Sequence, residues 1–301
     1  MILIGSSSIV LYKMAAQMPL FYIDDTWVKI LALIAQNKAA TTKDEKVGMH
    51  TTGILACNDE RQIQLFISGT QHAGNNLNDL LTLRAPGLPK PLQMNDALSC
   101  NGVTEDTIEC NCTTHGRRKF VEIEHLFPKD CDFVIKTIQQ LYKLDNHCKD
   151  NGFSAENRLK YHQECSKPLM DELKSFMQEQ LDKHLVEHNS SLGKAYRYWL
   201  KRWDKMTRYL TVAGAPLDNN LVEGALKQII LFRKNCLFHK TTASANITNQ
   251  LASVLATTKL AGANPIDYFT TLLKNKDQVV KEPENWLPWN YDQQMIIQQA
   301  A

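Results

Sequence analysis

The segment from Pro216 to Asn235, PLDNNLVEGALKQIILFRKN, holds the residues whose types point most clearly to chemistry. Its helix-like part contains one acid, Glu223, with Lys227 four residues later and the pair Arg233-Lys234 near its end. Residues four apart share one face of a helix, so the pattern predicts an acid with basic neighbours. A carboxylate in such surroundings is suited to binding a divalent cation through oxygen, while the bases contact phosphate groups.

Two other apolar segments also contain acids. Asp24 and Asp25 interrupt the strand-like run FYIDDTWV, and Asp96 ends the run PLQMN. Neighbouring side chains in a strand point to opposite faces, so only one of Asp24 and Asp25 can join a given site. Acids in apolar strands are costly unless they bind a cation or reach solvent. Two aspartates and a glutamate from separate elements are suitable ligands for Mg²⁺, and paired metal ions support phosphoryl transfer.

Each of these acids also has a structural alternative. In the alternative for the first strand, Asp24 is an exposed acid and Asp25 faces the site. In the alternative for Asp96, this residue caps a turn. The sequence from Asn220 to Glu223 has the form of a capping box, in which the glutamate accepts a hydrogen bond from the backbone N–H of the cap residue. Capping of this kind stabilises a helix by about 1 kcal/mol and requires no metal. Residue types alone therefore leave catalysis and capping open for Glu223.

A second basic cluster lies at the start of another predicted helix and consists of His115, Arg117, Arg118 and Lys119. The N-terminus of a helix favours anions, so this cluster is suited to holding a phosphate. The alternative is a solvated face of surface ion pairs. Cys110 and Cys112 before His115 also form part of a zinc motif, but a second ligand pair at zinc-finger spacing is missing from the sequence.

Composition and charge narrow the class of protein. The net charge is only +2, but residues 197–240 contain nine Lys/Arg and three Asp/Glu, which favours a local phosphate-binding surface. The alternative is again a solvated helix face. The eight cysteines lack the paired spacing of a secreted disulfide scaffold, which indicates a reduced, cytoplasmic chain. The sequence contains no run of eighteen apolar residues, so no membrane span is predicted.

Strand-like segments come first along the chain and helical segments follow. The predicted strands are Leu20–Ile30, Met49–Cys57, Gln62–Ser68, Leu92–Leu98 and Thr107–Asn111. The predicted helices are Asn76–Leu83, Phe133–Leu144, Glu156–His188 with a break near Lys167-Pro168, Gly193–Tyr209, the Glu223 helix and Ala245–Leu260. This order predicts an α+β fold with a long α-helical insertion and a helical carboxyl-terminal part. We expect residues 1–113 to form the first part of the core and 114–212 the insertion. Residues 213–275 would complete the core, and 276–301 would form an extended tail.

The Glu223 segment strongly resembles the one that carries the last acid in transposases of the insertion sequence 66 family. The segments around Asp24, Asp96 and Glu223, with CTTHGRRKF at 112–120 between them, occur in the order that this family shows. The similarity extends from about residue 20 to Trp289. It implies a mixed sheet of the RNase H-like kind, with Asp24, Asp96 and Glu223 as an Asp-Asp-Glu (DDE) triad. It also implies Mg²⁺ as the cofactor, with Mn²⁺ as a substitute.

The same resemblance implies a function and partners. Members of this family cleave and join DNA strands by metal-dependent phosphoryl transfer during transposition of an insertion sequence. The expected partners are the transposon ends and target DNA, with a homo-oligomer assembled on the DNA, in the bacterial cytoplasm at the nucleoid. Contacts to the DNA backbone are expected from His115, Arg117, Arg118, Lys119, Lys227, Arg233 and Lys234.

Two departures from the family pattern favour a different function. Gly224 follows the last acid, where relatives usually have a larger polar residue. Only about twenty residues precede Asp24, where the family normally has a long region with zinc-binding and helix-turn-helix elements that recognise transposon ends. The alternative is a truncated, non-catalytic remnant that binds DNA or a full-length transposase.

Overall fold

The computed structural model describes residues 2–101 and 106–294 of the chain. Five strands are present in these two stretches: β1 (Leu20–Trp27), β2 (His50–Cys57), β3 (Gln62–Gly69), β4 (Leu92–Asn95) and β5 (Ile108–Asn111). The helices before β5 are α1 (Ile2–Ala15), α2 (Leu31–Ala39) and α3 (Ala73–Leu81). Those between β5 and residue 219 are α4 (Thr113–Val121), α5 (Pro128–Asp150), α6 (Ala155–Tyr161), α7 (Lys167–Asp182), α8 (Ser191–Lys201) and α9 (Trp203–Met206). The remainder are α10 (Asn220–Cys236), α11 (Thr242–Leu260), α12 (Pro265–Lys274) and α13 (Lys276–Lys281).

The chain divides into two compact units. The first comprises Met1–Gln93, Leu98–Ile108 and Asn220–Ala301, and the second comprises Met94–Ala97 and Glu109–Asn219. The strands form one five-stranded mixed sheet in the order β3-β2-β1-β4-β5, and β4 and β5 each begin in the first unit and end in the second. The fold is therefore α+β, as predicted, and is consistent with an RNase H-like domain with added helical parts. The domain boundaries proposed from sequence remain predictions.

One face of the β1–β2–β3 sheet forms the main core of the first unit. Both strand pairs are antiparallel, and the register places Ile23 beside Ile54 and Ile54 beside Leu65. These fully buried side chains share one cluster with Leu11 of α1 and Leu77 of α3. Alternation along the strands therefore presents one apolar face to α1 and α3.

The opposite face of the same strands packs against α10 and α11. Phe66 of β3 is buried there with Leu226 and Ile229 of α10 and Ala256 of α11. The glycine at position 53 of β2 lies beside Phe66 in the sheet. Helices thus cover both faces of the antiparallel part of the sheet.

The side chains of α11 also satisfy the outer edge of β3. Ser253 Oγ accepts a hydrogen bond from the Phe66 N–H at 2.8 Å. Thr257 Oγ1 accepts from the Gln64 N–H at 3.1 Å and donates to the Gln64 carbonyl at 3.2 Å. An open strand edge would offer unpaired backbone groups to other chains, so α11 protects this edge.

The amino-terminal apolar segment, to which the sequence assigns no element, forms α1. Val10, Leu11 and Ala15 are buried in the core of the first unit, whereas Ile9 is 58% exposed. The helix is therefore an integral part of the folded unit. Across residues 2–101 and 106–294, no helix has both the length and the apolar character that a membrane crossing requires.

The second unit is mainly helical, as its periodicity predicts. The predicted helix Glu156–His188 is interrupted, as expected near Pro168, by a π-helical turn at His162–Ser166 between α6 and α7. Proline lacks an N–H and clashes with the carbonyl four residues earlier, which explains the irregular turn before it. Gly116 of α4 lies against Trp199 of α8, and a Cβ added to this glycine would come within 2.6 Å of the indole ring. This glycine therefore permits the two helices to pack closely.

Several predicted bounds are wrong in detail. The first strand ends at Trp27 rather than Ile30, and Ile30 forms only an isolated bridge with His239. The fourth strand ends at Asn95 rather than Leu98, since Ala97 has a positive φ of 66° that a strand does not accommodate. In the part of the predicted extended tail that the structure describes, residues 276–294, the chain forms α13 and a 3₁₀ turn at Pro283–Trp286, so this part is not extended throughout. The prediction of packing by tryptophan holds for Trp286, which is 2% exposed.

Candidate functional site

The two neighbouring aspartates of β1 lie on opposite faces of the sheet. Asp24 is paired with Gly53 of β2, and Asp25 is paired with Thr52. Paired residues in an antiparallel sheet share a face. The side chain of Asp24 therefore lies on the face toward which a side chain at position 53 would point. Both aspartates are partly buried.

The Asp24 face is the one that α10 covers. A Cβ added to Gly53 would lie 3.0 Å from Leu226 and 3.1 Å from Val222, so the helix packs directly on this glycine. Glu223 follows Val222 in the first turn of α10 and is partly buried. The missing side chain at Gly53 thus allows an acid-bearing helix turn to approach the face of the sheet that carries Asp24.

Asp25 is part of a hydrogen-bond network on the other face. Its Oδ1 accepts from Thr52 Oγ1 at 2.6 Å. Its Oδ2 accepts from the Ala73 N–H at 2.8 Å and from His72 Nδ1 at 3.1 Å. Asp25 therefore ties β1 to the start of α3. The sequence pattern predicted that the two aspartates diverge, and the structure shows what each face contains.

The predicted capping box at Glu223 depends on where α10 begins. In a capping box, Asn220 would be the N-cap residue before the helix and Glu223 would be the third helical residue. The helix instead begins at Asn220, which makes Glu223 its fourth residue. Assigned helix ends vary by a residue or two, so the helix start does not decide between capping and catalysis. Both roles for Glu223 remain predictions.

The basic residues of α10 have different surroundings. Lys227 and Lys234 are exposed. Arg233 is partly buried, and its guanidinium lies 4.0 Å from the centre of the Trp27 ring. Its Nη1 donates to Thr26 Oγ1 at 3.0 Å and also to the Trp27 carbonyl. Burial lowers the pKa of Arg233. Arg233 therefore holds the end of β1 against α10, a structural role that the sequence did not indicate.

The third predicted acid, Asp96, lies in the second unit directly after β4 and is partly buried. The preceding Asn95 is fully buried and bonds to its neighbours within that unit. Asn95 Oδ1 accepts from Asn111 Nδ2 at 2.9 Å, and Asn95 Nδ2 donates to Glu109 Oε1 at 3.2 Å. Lys205 Nζ in turn contacts Glu109 Oε2 at 2.5 Å. This polar network anchors the end of β4, where Asp96 begins the following turn.

The other predicted phosphate-binding cluster lies on α4. His115 and Arg117 are partly buried, and Arg118 and Lys119 are exposed. Lys119 Nζ lies 5.6 Å from the ring centre of Tyr198. The contacts of these four residues with DNA remain predictions.

The two cysteines near α4 are buried thiols. Cys110 and Cys112 are buried, and burial raises their pKa values to about 12 and about 11.

Sequence reasoning missed two polar clusters. Asp25, His50 and His72 place potential metal-ligand atoms within 4.8 Å of one another in the first unit. In the second unit, Asp145 is fully buried and contacts Arg158, Lys149 and His162 at 2.7, 2.7 and 3.1 Å. Asp25, His50 and His72 come from separate elements and have no local signal. Asp145 and Lys149 are four residues apart on α5, but Arg158 and His162 come from later in the chain.

The chain is similar in sequence to curated proteins from one bacterium. The chain is 29% identical over 195 residues to the uncharacterized protein y4jD of Sinorhizobium fredii, which covers 63% of this chain and 37% of that protein. It is 29% identical over 193 residues to y4qI, another uncharacterized protein of the same organism, with 62% and 35% covered. The chain thus spans only about a third of the length of these curated relatives. No solved structure matches it.

The model of the family described as Transposase IS66 family matches residues 10–247. That range contains β1 with Asp24, the end of β4 with Asp96, and the whole of α10 with Glu223. The match spans most of the chain, and the protein therefore belongs to the IS66 family of transposases.

Proposed function

We propose that this chain is the catalytic part of a DDE-type transposase, which cleaves and joins DNA strands through metal-dependent phosphoryl transfer. The observation that carries the proposal is the pairing of Asp24 with Gly53, on which α10 packs through Val222 and Leu226. The first turn of α10, which carries Glu223, thus packs on the face of the sheet that carries Asp24. The chain that contains both acids belongs to a family of transposases.

The chemistry of these residues fits a divalent cation. Asp24 and Glu223 offer carboxylate oxygens, the ligands that Mg²⁺ and Mn²⁺ prefer, and both are partly rather than fully buried. Asp96 is proposed as the third ligand because of the family resemblance. When bound, such ions activate the attacking oxygen and stabilise the charge on the leaving oxygen.

The protein's own residues would then have distinct roles. The carboxylates of Asp24, Asp96 and Glu223 would hold the cation, with water as the nucleophile for cleavage and a DNA 3′-hydroxyl for joining. Exposed bases, Lys227 and Lys234 on α10 and Arg118 and Lys119 on α4, would contact DNA phosphates. Transposon ends, target DNA and a homo-oligomer are the proposed partners.

A strand-cleavage assay with Glu223→Gln tests the proposal. The substrate is DNA carrying the ends of the parent element, supplied with Mg²⁺ or Mn²⁺. Glutamine serves in a capping box as well as glutamate does, so this substitution preserves capping while removing the charged ligand. We expect metal-dependent cleavage by the wild type and its loss, by at least a hundredfold, in Glu223→Gln, Asp24→Asn and Asp96→Asn.

The matched control is Glu60→Gln, which changes an exposed acid in the turn between β2 and β3. This variant should cleave like the wild type. DNA binding should persist in all the variants. Full cleavage by Glu223→Gln would instead support the capping role, and cleavage by Asp96→Asn would remove that residue from the triad. Salt-sensitive DNA binding without cleavage by the wild type would favour the non-catalytic alternative.

A further inference from the structure

A second cluster of potential ligands lies in the first unit, on the face of the sheet opposite Asp24. Asp25 is on β1, His50 begins β2, and His72 immediately precedes α3. The register pairs His50 with Trp27 and Thr52 with Asp25, so His50 and Asp25 share a face. The rings of His50 and His72 have centroids 4.0 Å apart.

The carboxylate in this cluster is held in one orientation. Thr52 Oγ1 donates to Asp25 Oδ1 at 2.6 Å, and Asn76 Nδ2 donates to Thr52 Oγ1 at 2.7 Å. The Ala73 N–H donates to Asp25 Oδ2 at 2.8 Å. Hydrogen bonds of this kind orient metal ligands and are part of how proteins build metal sites.

The spacing of the ligand atoms is close to that around a metal ion. His72 Nδ1 and Asp25 Oδ2 are 3.1 Å apart, and two ligand atoms on a tetrahedral zinc ion lie about 3.3 Å apart. With His50 included, the three ligand atoms lie within 4.8 Å.

The cluster is also accessible and has room for the His50 ring. The side chain of His72 is 39% exposed, so an ion and its water ligands can reach it. A Cβ at Gly48 would approach His50 Nε2 to 2.5 Å, so the glycine is what allows the ring to occupy this place.

We propose that Asp25, His50 and His72 bind a Zn²⁺ ion, with water completing the coordination. Two imidazoles and a carboxylate are a donor set that zinc accepts readily. The ion would replace the proton between His72 and Asp25 and would join β1, β2 and the start of α3. This site is separate from the proposed DDE acids, because Asp24 lies on the opposite face.

The test is a Zn²⁺ titration of chelator-treated protein, measured by isothermal titration calorimetry and by metal content after dialysis. We expect one tightly bound Zn²⁺ per chain, retained after dialysis, in the wild type and in Glu223→Gln. Binding should be at least tenfold weaker in His50→Ala and His72→Ala, because each loses a direct ligand. His188→Ala removes an exposed histidine of the second unit and is the matched control, so it should bind like the wild type. Retention of the site in Glu223→Gln distinguishes it from the proposed catalytic metal site.

Gly48→Ala provides a second variant in which all three ligands remain. Its methyl group would displace the His50 ring, so Zn²⁺ affinity should fall and the visible absorption of bound Co²⁺ should change. Circular dichroism checks that each variant is folded. Absence of Zn²⁺ binding by the wild type, or equal binding by wild type and His72→Ala, would overturn the proposal.

Discussion

At the residue scale, Asp24 and Asp25 are adjacent in sequence but have different surroundings. Asp25 accepts hydrogen bonds from Thr52, His72 and the Ala73 N–H, so it contributes to the stability of the first unit. Asp24 lies on the α10 face, and its Oδ1 accepts from the Asp25 N–H at 2.8 Å. We therefore expect substitutions of Asp25 to act on stability and substitutions of Asp24 to act on the proposed cleavage.

We predict that Asp25→Ala lowers the free energy of unfolding by about 1–3 kcal/mol, the usual cost of leaving buried hydrogen-bond partners unsatisfied. Asp24→Ala should cost less in stability but should abolish metal-dependent cleavage. Urea denaturation of both variants and the strand-cleavage assay provide the comparison. A larger stability loss for Asp24→Ala would reverse these assignments.

Asp145 is a buried charged residue with a structural role in the second unit. Its side chain is 1% exposed and contacts Arg158, Lys149 and His162. Burial opposes its ionisation, but hydrogen bonding to His162 and the charges of Arg158 and Lys149 outweigh burial and hold its pKa well below the usual value. The cluster ties α5 to α6 and to the π-helical turn.

We predict that Asp145→Asn destabilises the second unit by about 3 kcal/mol, because it leaves buried partners of a charge unpaired. A folded-state pKa below the unfolded value of about 3.9 means that this contribution is present above that pH. It is lost as the pH falls further, toward the folded-state pKa. Wild type and Asp145→Asn should therefore differ in stability at pH 7 and converge in strong acid. An unchanged difference at pH 2 would contradict the prediction.

At the element scale, α10 approaches the sheet because residue 53 of β2 is a glycine. An added methyl group would lie 3.0 Å from Leu226 and 3.1 Å from Val222, closer than ordinary contact allows. We predict that Gly53→Ala costs about 1–3 kcal/mol by overpacking and also reduces cleavage, since α10 must move. Gly69→Ala is the matched control in β3, with no atom within 4 Å of the added Cβ, and its thermal midpoint should stay close to that of wild type.

The basic residues of α10 should separate into two classes. Lys227→Ala and Lys234→Ala remove exposed charges, so each should weaken DNA binding and reduce the slope of log affinity against log salt by about 1. Arg233→Ala should instead lower stability, because it removes the contacts to Thr26 and Trp27. Fluorescence anisotropy at several salt concentrations, with thermal denaturation alongside, tests both. An unchanged salt slope in the lysine variants would exclude them from the DNA interface.

At the scale of the whole molecule, the cysteines report on how the chain is packed. All eight are free thiols; Cys100 and Cys236 are exposed, Cys165 is partly buried and five are buried. Burial raises the pKa of Cys57 to about 12 and that of Cys131 to about 11. We predict that a thiol reagent reacts rapidly with two cysteines of the native protein, slowly with Cys165 and with all eight only after denaturation. Rapid reaction of more than three would show that the chain is less well packed than the structure indicates.

Much of the architecture follows from local sequence patterns. Alternation in β1, β2 and β3 and the helical period after residue 114 were sufficient to predict an α+β fold and most of its elements. Alternation also required Asp24 and Asp25 to diverge, and the motif around Glu223 indicated the family. These features depend on residues within one or two turns or strands, which is the range over which a pattern in the sequence is informative.

Only the tertiary structure decided what surrounds each of these residues. It placed α10 on Gly53, gave Arg233 a role beside Trp27, and brought Asp25, His50 and His72 together from three elements. It also buried Asp145 among its partners and formed α13 where the sequence suggested an extended tail. Such contacts join residues far apart in the chain, and they depend on strand register and helix packing. The sequence by itself therefore determined most of the elements and indicated the family, whereas packing between elements determined the environment of each functional side chain.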